Sequence, residues 1–340
     1  MRSDNNSGIS DEILKAIIDE NVGNAIAYGG DDVTARSESK LKDVFENDGL
    51  KAFNLISGTA ANSLILATLS PTFGAIFCHQ DSHVYGDECG ANEFQSGGAK
   101  LVPLKGTNGK ITVPELEDAI DWYVVGEPHH SQPAALSIAQ TTEAGTVYTP
   151  DEINALSVVV KKHNLKLHMD GARFANAVAK IGCSPAEMTW KAGVDALSFG
   201  TTKNGTLGAE AAVFFNDTED GSFIYRRMRS GHLISKMRFL SVQIISYLEN
   251  GLWLKNAAHA NDMAERLYLG IKDVDGIKFS FPVESNVMFA EIKNETVDQL
   301  SQAGFHFYTR NVAGSSSSRL VTAFNTAPSE IDKFIEIVHS

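Results

Sequence analysis

The chain has 340 residues, enough for two unequal domains, and its 43% hydrophobic and 21% charged residues are typical of a soluble globular protein. Its formal net charge of −13 argues against nucleic acid and anionic membranes as partners, because both would repel it. The three cysteines lack paired or metal-type spacing, and no signal peptide or apolar run of transmembrane length is found. We therefore expect a cytoplasmic protein with reduced thiols.

From about residue 53 to residue 215, short apolar segments alternate with helical patterns, which indicates a parallel sheet covered by helices. Three helix starts are marked by a hydroxyl residue that precedes a glutamate by three positions, at Thr112, Thr149 and Ser184. The candidate strands are residues 75–78, 100–104, 135–139, 166–169, 196–199 and 211–215.

The pattern changes after residue 215, where residues 222–249 predict a basic helix, a loop and a second helix. A long helix over 252–271 follows, then a strand at 286–291, a helix near 296–303, a strand at 319–324 and a closing helix. The four serines at 315–318 are interpreted as a plain loop. Residues from roughly 250 onward thus predict a small α+β domain.

Gly58 and Thr59 precede an apolar helical pattern at residues 63–69. Backbone N–H groups, a hydroxyl and the positive end of a helix dipole at such a position suit a phosphate. Small polar residues at a helix start are also ordinary capping residues, so this motif alone leaves both interpretations open.

Two predicted buried strands lead to residues of opposite charge. Asp170 and Gly171 follow the strand at 166–169, and the strand at 196–199 leads to Lys203 in a loop of small residues. A carboxylate and a lysine at one sheet edge are what a pyridoxal phosphate (PLP) enzyme needs. The lysine forms an imine with the cofactor aldehyde, and the carboxylate keeps the pyridine nitrogen protonated. The spacing between Asp170 and Lys203 fits one helix and one strand.

Arg173 allows two interpretations. It forms an internal salt bridge with Asp170, or else Asp170 serves the cofactor nitrogen while the guanidinium grips a substrate carboxylate bidentately.

The loop histidines are candidates for proton transfer. His83 follows the strand at 75–78, where a flat imidazole could stack on a pyridine ring and handle protons. A histidine in a loop is also commonly just an exposed surface residue, and the same holds for His129 and His130. These histidines lack acidic partners at metal-ligand spacing, so we predict no metal site.

Six motifs occur in order along the chain: RSDNNSG at 2–8, YGGDD at 28–32, SGTAAN at 57–62, HMDGAR at 168–173, the segment 198–205, and RLVT at 319–322. In these motifs the chain resembles the low-specificity L-threonine aldolases, which are fold-type I PLP enzymes. The resemblance implies an α/β fold with a mostly parallel seven-stranded sheet between helices. It implies three parts: an N-terminal segment at 1–20 that contributes to the active site, a large PLP-binding domain at 21–249, and a small domain at 250–340.

The resemblance also implies roles for individual residues. Lys203 would be the catalytic imine-forming lysine, Asp170 the partner of the pyridinium nitrogen, and Gly58 with Thr59 the phosphate-binding pair. His83 would stack on the cofactor ring. The residues that would hold the substrate carboxylate are Ser7, Arg173 and Arg319, with Arg173 also counted among the cofactor-binding residues.

Arg238 matches an arginine that reaches the cofactor phosphate from a neighbouring subunit in this family. The resemblance therefore implies a homodimer or homotetramer with shared active sites.

One segment departs from the family pattern. Many members carry a histidine in a Glu-Asn-Thr-His segment, thought to contact the substrate hydroxyl, whereas residues 137–143 here contain no histidine. His129 or His130, just before that strand, could fold back to fill this role, and we favour His129.

The activity implied by the resemblance is PLP-dependent retro-aldol cleavage of L-threonine or L-allo-threonine to glycine and an aldehyde, the reaction of an aldehyde-lyase. An aldolase that prefers L-phenylserine is an alternative. So is another fold-type I reaction, such as β-elimination or transamination, or a non-catalytic PLP-binding protein.

Overall fold

In a computed structural model, which describes residues 1–312 and 315–340, two sheets organise the chain. The larger sheet has seven strands in the order β1-β7-β6-β5-β4-β2-β3, all parallel except β7, as predicted. Its strands are β1 Lys51–Leu55, β2 Gly74–His79, β3 Lys100–Leu104, β4 Gln132–Ala139, β5 Lys166–Gly171, β6 Ala196–Gly200 and β7 Glu210–Phe214.

Fourteen α-helices lie within the described residues. They are α1 Asp11–Glu20, α2 Asp32–Val44, α3 Gly58–Leu69, α4 His83–Gly86, α5 Ala91–Ser96, α6 Val113–Trp122, α7 Pro150–Lys162, α8 Phe174–Ile181, α9 Pro185–Met188, α10 Phe223–Arg229, α11 Arg238–Leu248, α12 Leu252–Ile271, α13 Asn294–Gln302 and α14 Pro328–His339. The three predicted capping boxes form at the starts of α6, α7 and α9. None of the described helices is both long and apolar enough to cross a membrane.

Helices cover both faces of the large sheet because its strands alternate their side chains between two cores. In β2, Phe77 packs with the residues of α6 and α7, whereas Ile76 packs on the other face with those of α3. The strand β1 was not among the six candidate segments. It has only five residues and begins with a lysine, so pairing with β7 rather than its own composition makes it a strand.

The smaller sheet is antiparallel, with four strands in the order β10-β11-β9-β8, and α13 and α14 pack on it. The strands are β8 Lys278–Phe279, β9 Val287–Lys293, β10 Tyr308–Val312 and β11 Ser315–Val321. The interpretation of residues 315–318 as a loop is wrong, since all four serines pair with β9. Hydrogen bonding to a neighbouring strand imposes an extended backbone that serine composition alone does not indicate.

The two cores meet along α12. Its first turns place Trp253 and Ala257 in the core of the large sheet, and its last turns place Leu267 and Ile271 in the core of the small sheet. The predicted boundary near residue 250 therefore lies at the start of a helix that belongs to both cores.

Candidate active site

A cavity of about 720 Å³ lies at the carboxyl edge of the large sheet, bordered on its other side by β9, β10 and β11. Parallel strands present their following loops at this edge, so ligand sites form there in open α/β folds. Seven of the ten predicted site residues line this cavity: Gly58, Thr59, His83, Asp170, Arg173, Lys203 and Arg319.

Asp170 lies near the end of β5, opposite Ala139 of β4 and Ser198 of β6. Its buried carboxylate accepts hydrogen bonds from the backbone N–H of Ala172 at 3.0 Å and from Nδ2 of Asn62 at 2.9 Å. Within residues 1–312 and 315–340 no ion pair joins Asp170 to Arg173. The internal salt bridge considered from the sequence is therefore not formed, and Asp170 is free to face a ligand.

Lys203 lies in a short 3-10 turn, Thr202–Asn204, just beyond β6. The turn is anchored because Nδ2 of Asn204 donates to the Tyr247 hydroxyl at 2.7 Å and to the Trp253 carbonyl at 2.8 Å. Nζ of Lys203 has no hydrogen-bond or ion-pair partner among the described residues. A cavity-lining lysine on a rigid turn with no partner is available to react.

Glu210, at the start of β7, holds the other side of this turn. Its carboxylate accepts hydrogen bonds from the backbone N–H groups of Thr201 at 3.1 Å and Thr202 at 3.3 Å. Burial raises the pKa of Glu210 to about 7, although these hydrogen bonds and the charge of Lys203 act in the opposite direction.

The phosphate-binding candidate is the start of α3. Ser57 caps this helix by accepting a hydrogen bond from the Ala60 N–H at 3.3 Å, and Gly58 is its first residue. A Cβ atom built on Gly58 would meet no atom within 4 Å. The glycine therefore leaves open space in front of the helix N-terminus, where an anion is stabilised by free N–H groups and the helix dipole.

His83, the first residue of α4, is held by a buried carboxylate. Its Nδ1 lies 2.9 Å from Oε1 of Glu88, which is fully buried, and this hydrogen bond is the main reason that the pKa of His83 is raised. Asn62 donates from Nδ2 to both Glu88 and Asp170, at 2.8 and 2.9 Å. Potential metal-ligand atoms of His83, Glu88 and Asp170 lie within 4.8 Å of one another. The bond between His83 and Glu88 and the two bonds from Asn62 account for this proximity.

Arg173 is paired with the N-terminal segment. Its Nε and Nη2 donate to the carboxylate of Asp4 at 2.7 and 2.9 Å, and Asn286 donates to the same carboxylate at 3.1 Å. Burial alone would raise the pKa of Asp4, but the charge and hydrogen bonds of Arg173 hold it below its usual value. Nη1 of Arg173 has no partner within the described residues, so this nitrogen remains for a ligand.

Arg319, on β11, faces the same space as Arg173. Burial, and then the like charge of Arg173, lower the pKa of Arg319. Two neighbouring guanidinium groups in one cavity form a site that favours a carboxylate.

Ser7 does not line the cavity of its own chain, so the role that the resemblance implies for it stays a prediction. It ends the short 3-10 turn Asp4–Asn6, and the residues of this segment that line the cavity are Ser3 and Asn5. The turn presents residues before Ser7 to the cavity because Asp4 is fixed by Arg173.

His129 lies at the opposite edge of the large sheet and does not line this cavity, so its predicted role is not supported by the geometry of one chain and stays a prediction. It precedes β4, whereas the cavity lies beyond the strand's other end. His129 is 87% exposed and pairs with Glu127. His130 does not fold back either, because its ring stacks on Trp122 at 4.8 Å.

Arg238, the first residue of α11, also lies outside the cavity of its own chain. Its guanidinium donates to the carbonyls of Val22 at 3.1 Å and Gly23 at 3.4 Å. The role predicted for it requires a second subunit and stays a prediction.

Sequence reasoning missed several residues that build the site. Asp4 and Asn62 lie inside recognised motifs, and Glu210 is an acidic residue at the head of an apolar strand, which is a signal of a buried carboxylate with partners. Nothing in the local sequence marks Glu88, because its position depends on how α4 and α3 pack.

Comparisons with known proteins indicate the family to which the chain belongs. The model of the beta-eliminating lyase family matches residues 1–295. A low-specificity L-threonine aldolase from Pseudomonas sp. (strain NCIMB 10558) is 42% identical over 329 residues, which cover 97% of this chain and 94% of that protein. A threonine aldolase from Leishmania major superposes with a TM-score of 0.94 at 27% identity, over 99% of this chain and 98% of that one.

More distant structures share the fold alone. A structure of SPT with PLP superposes with a TM-score of 0.70 at 17% identity, over 97% of this chain and 83% of that one. The fold is thus that of the fold-type I PLP enzymes. The chain belongs to the beta-eliminating lyase family and, within it, to the low-specificity L-threonine aldolases.

Proposed function

We propose that the protein binds PLP in the described cavity and cleaves β-hydroxy-α-amino acids of the L-threonine and L-allo-threonine type to glycine and an aldehyde. The observation that supports this most is the convergence of Lys203, Asp170 and the start of α3 on one cavity that also holds two arginines. Relatives that are 42% identical carry the name of this activity.

The residues of the cavity fit PLP. The open space in front of Gly58, with the N–H groups at the start of α3 and the hydroxyl of Thr59, suits its phosphate. The oriented carboxylate of Asp170 suits its ring nitrogen, and the unpartnered Nζ of Lys203 suits its aldehyde. When bound, PLP supplies an aldehyde that condenses with amines and a ring that accepts an electron pair.

The imidazole of His83 is suited to pack against the face of the cofactor ring. Its bond to the fully buried Glu88 fixes the plane of the imidazole, since rotation of the ring would break that bond. A ring held in this way packs against a planar ligand without having to be ordered at binding.

The two arginines orient the substrate. Arg319 and the free Nη1 of Arg173 would bind the α-carboxylate, while Asp4 holds the Arg173 guanidinium in place. A carboxylate fixed in this way would orient the bonds to Cα relative to the cofactor and so select the one that breaks. Ser7, at the end of the same N-terminal turn, is retained as a more distant candidate for this site.

A homodimer or homotetramer is proposed as the assembled form. Several apolar side chains of α1 and the segment after it are exposed: Leu14, Ile18, Val22, Ile26 and Tyr28. Several exposed apolar side chains in one segment favour burial against another subunit. Arg238 contacts this same stretch at Val22 and Gly23, which would place it at the interface. A monomer by light scattering at micromolar concentration would contradict this assembly.

A cytoplasmic location is proposed from the cysteines. Cys78, Cys89 and Cys183 are all free, and Cys89 is exposed, which suits a reducing compartment.

The test is incubation of the PLP-loaded protein with L-threonine, L-allo-threonine and L-phenylserine, with glycine and aldehyde measured separately. Equal amounts of glycine and aldehyde are expected, and the three rates rank the side chains. Keto acid and ammonia without aldehyde would overturn the aldolase activity in favour of elimination or transamination.

A further inference from the structure

Glu143 lines the cavity, but none of the roles described above involves it. It lies beyond the end of β4, at the tip of a tight turn. The Thr142 N–H donates to the Thr146 carbonyl at 2.9 Å, and the hydroxyls of the same two residues lie 2.7 Å apart. The carboxylate therefore projects from a backbone with defined geometry.

The turn is also fixed from outside. Gly145 has a φ of +82°, and a Cβ on it would lie 2.2 Å from the Val287 carbonyl oxygen of β9, so the turn packs directly on the small sheet. The Gln140 side chain brackets the segment by donating to the Tyr148 carbonyl at 2.8 Å and accepting from the Tyr148 N–H at 3.0 Å. The turn that carries Glu143 is therefore held by the large sheet, which it follows, and by the small sheet, on which it packs.

The carboxylate of Glu143 has no hydrogen-bond or ion-pair partner within residues 1–312 and 315–340. Four charged groups besides Asp170 act on it: Arg173, Arg319, Lys203 and His83. Burial and the nearby Asp170 raise the pKa of Glu143 above its usual value, against the charges of Arg173 and Lys203. A carboxyl group whose pKa lies closer to neutrality both accepts and returns a proton readily.

The position of Glu143 in the cavity indicates which part of the substrate it would contact. Glu143 lines the same cavity as Lys203, where the substrate amine would go, and as Arg173 and Arg319, where the carboxylate would go. The substrate side chain carries the remaining polar group, the β-hydroxyl. His83 is less available for this role, since its Nδ1 is bonded to Glu88 and its ring would pack against the cofactor.

We propose that Glu143 is the catalytic residue that accepts the proton of the substrate β-hydroxyl during cleavage. The O–H bond breaks and its proton moves to the Glu143 carboxylate, and the O–H electrons form the aldehyde C=O bond. The Cα–Cβ bond breaks and leaves its electron pair on the carbon that becomes glycine Cα. That carbon takes up one proton from solvent to complete glycine, and Glu143 releases its proton to solvent. This role rests on the proposed function. It assigns a residue to the removal of the β-hydroxyl proton, a step for which His129, which does not line the cavity, was the candidate from the sequence.

The test compares Glu143→Gln and Glu143→His with the wild-type holoenzyme. Glu143→Gln keeps the size of the side chain but accepts no proton, so kcat for L-threonine cleavage should fall by about 10²- to 10⁴-fold. The limb of the kcat/KM pH profile that reports deprotonation of Glu143 should disappear. In Glu143→His, part of the activity should return, with that limb moved to about pH 6.5, the usual range of imidazole. Glu127→Gln, a surface carboxylate outside the cavity, is the matched control.

Glycine provides a readout independent of cleavage, because it has no β-hydroxyl. Exchange of its Cα–H in D₂O, followed by NMR, should stay within about a factor of two of wild type in Glu143→Gln. Cleavage that stays as fast as wild type in this variant overturns the role of Glu143. A parallel loss of cleavage and glycine exchange also overturns it, since Glu143 would then maintain the site as a whole. A wild-type protein that exchanges glycine but releases no aldehyde overturns the proposed function itself, and this role with it.

Discussion

The carboxylate of Glu210 should make the stability of the protein fall as the pH rises, and Glu210→Gln should remove that dependence. Glu210 is buried directly behind the turn that carries Lys203, and burial raises its pKa to about 7, against 4.5 for an ordinary glutamate. The folded protein therefore binds this proton more tightly than the unfolded chain does.

The magnitude follows from these two pKa values. The stabilisation from the protonated carboxyl is complete below about pH 4.5 and is lost as the pH rises through about 7. Between pH 5 and pH 8 this loss amounts to about 2.5 kcal/mol. The amide of Glu210→Gln carries no charge at either pH. It loses one of the two acceptor oxygens that hold the Thr201 and Thr202 N–H groups, a cost that is the same at both pH values.

The assay is urea denaturation of both holoenzymes at pH 5 and pH 8, followed by tryptophan fluorescence at equal protein and PLP concentrations. The free energy of unfolding of Glu210→Gln minus that of wild type should rise by about 2.5 kcal/mol from pH 5 to pH 8. An unchanged difference would refute the reasoning, because it would mean that Glu210 has the same pKa in the folded and unfolded protein.

Three further predictions concern single side chains. Lys203→Ala should lower cleavage by about 10⁴-fold and abolish the absorbance of the lysine–PLP imine, and turnover at the wild-type rate would contradict its assignment. Asp170→Asn should retain bound PLP but lower kcat by at least about 10²-fold, since the electron sink loses its counter-charge. A loss confined to KM would argue against that role. His168, buried between the hydroxyls of Ser137 and Ser198, has its pKa lowered to about 4 by burial, so its contribution has the opposite sign to that of Glu210. Acidification from pH 7 to pH 5 should cost the wild type about 1.8 kcal/mol of unfolding free energy more than His168→Gln, and equal pH dependence in urea denaturation would contradict this.

Local patterns predicted the parts of the fold whose causes are local. The capping boxes at Thr112, Thr149 and Ser184 identified three helix starts because a cap involves only residues a few positions apart. Strands with apolar composition were found for the same reason. The strand at residues 315–321 was recognised only from residue 319, because its first four residues owe their extended form to β9.

The site shows the same division. Asp170 and Lys203 were predicted as a pair because each follows a buried strand, and parallel strands end at one edge of the sheet. The sequence did not predict that His129 lies away from the cavity, because it precedes β4 whereas the cavity lies beyond the carboxyl end of that strand.

The sequence by itself thus determined the α/β class, the family and the pair of residues at the centre of the cavity, since these depend on composition, order and short spacings. Only the tertiary structure decided that Arg173 pairs with Asp4 rather than with Asp170. It also placed Glu88 behind His83, and Glu143 and Glu210 in the cavity beside Lys203. The physical reason is that the charge state and partner of a buried group depend on side chains far away in the sequence. Burial raises the free energy of an unpaired charge until such a partner is found.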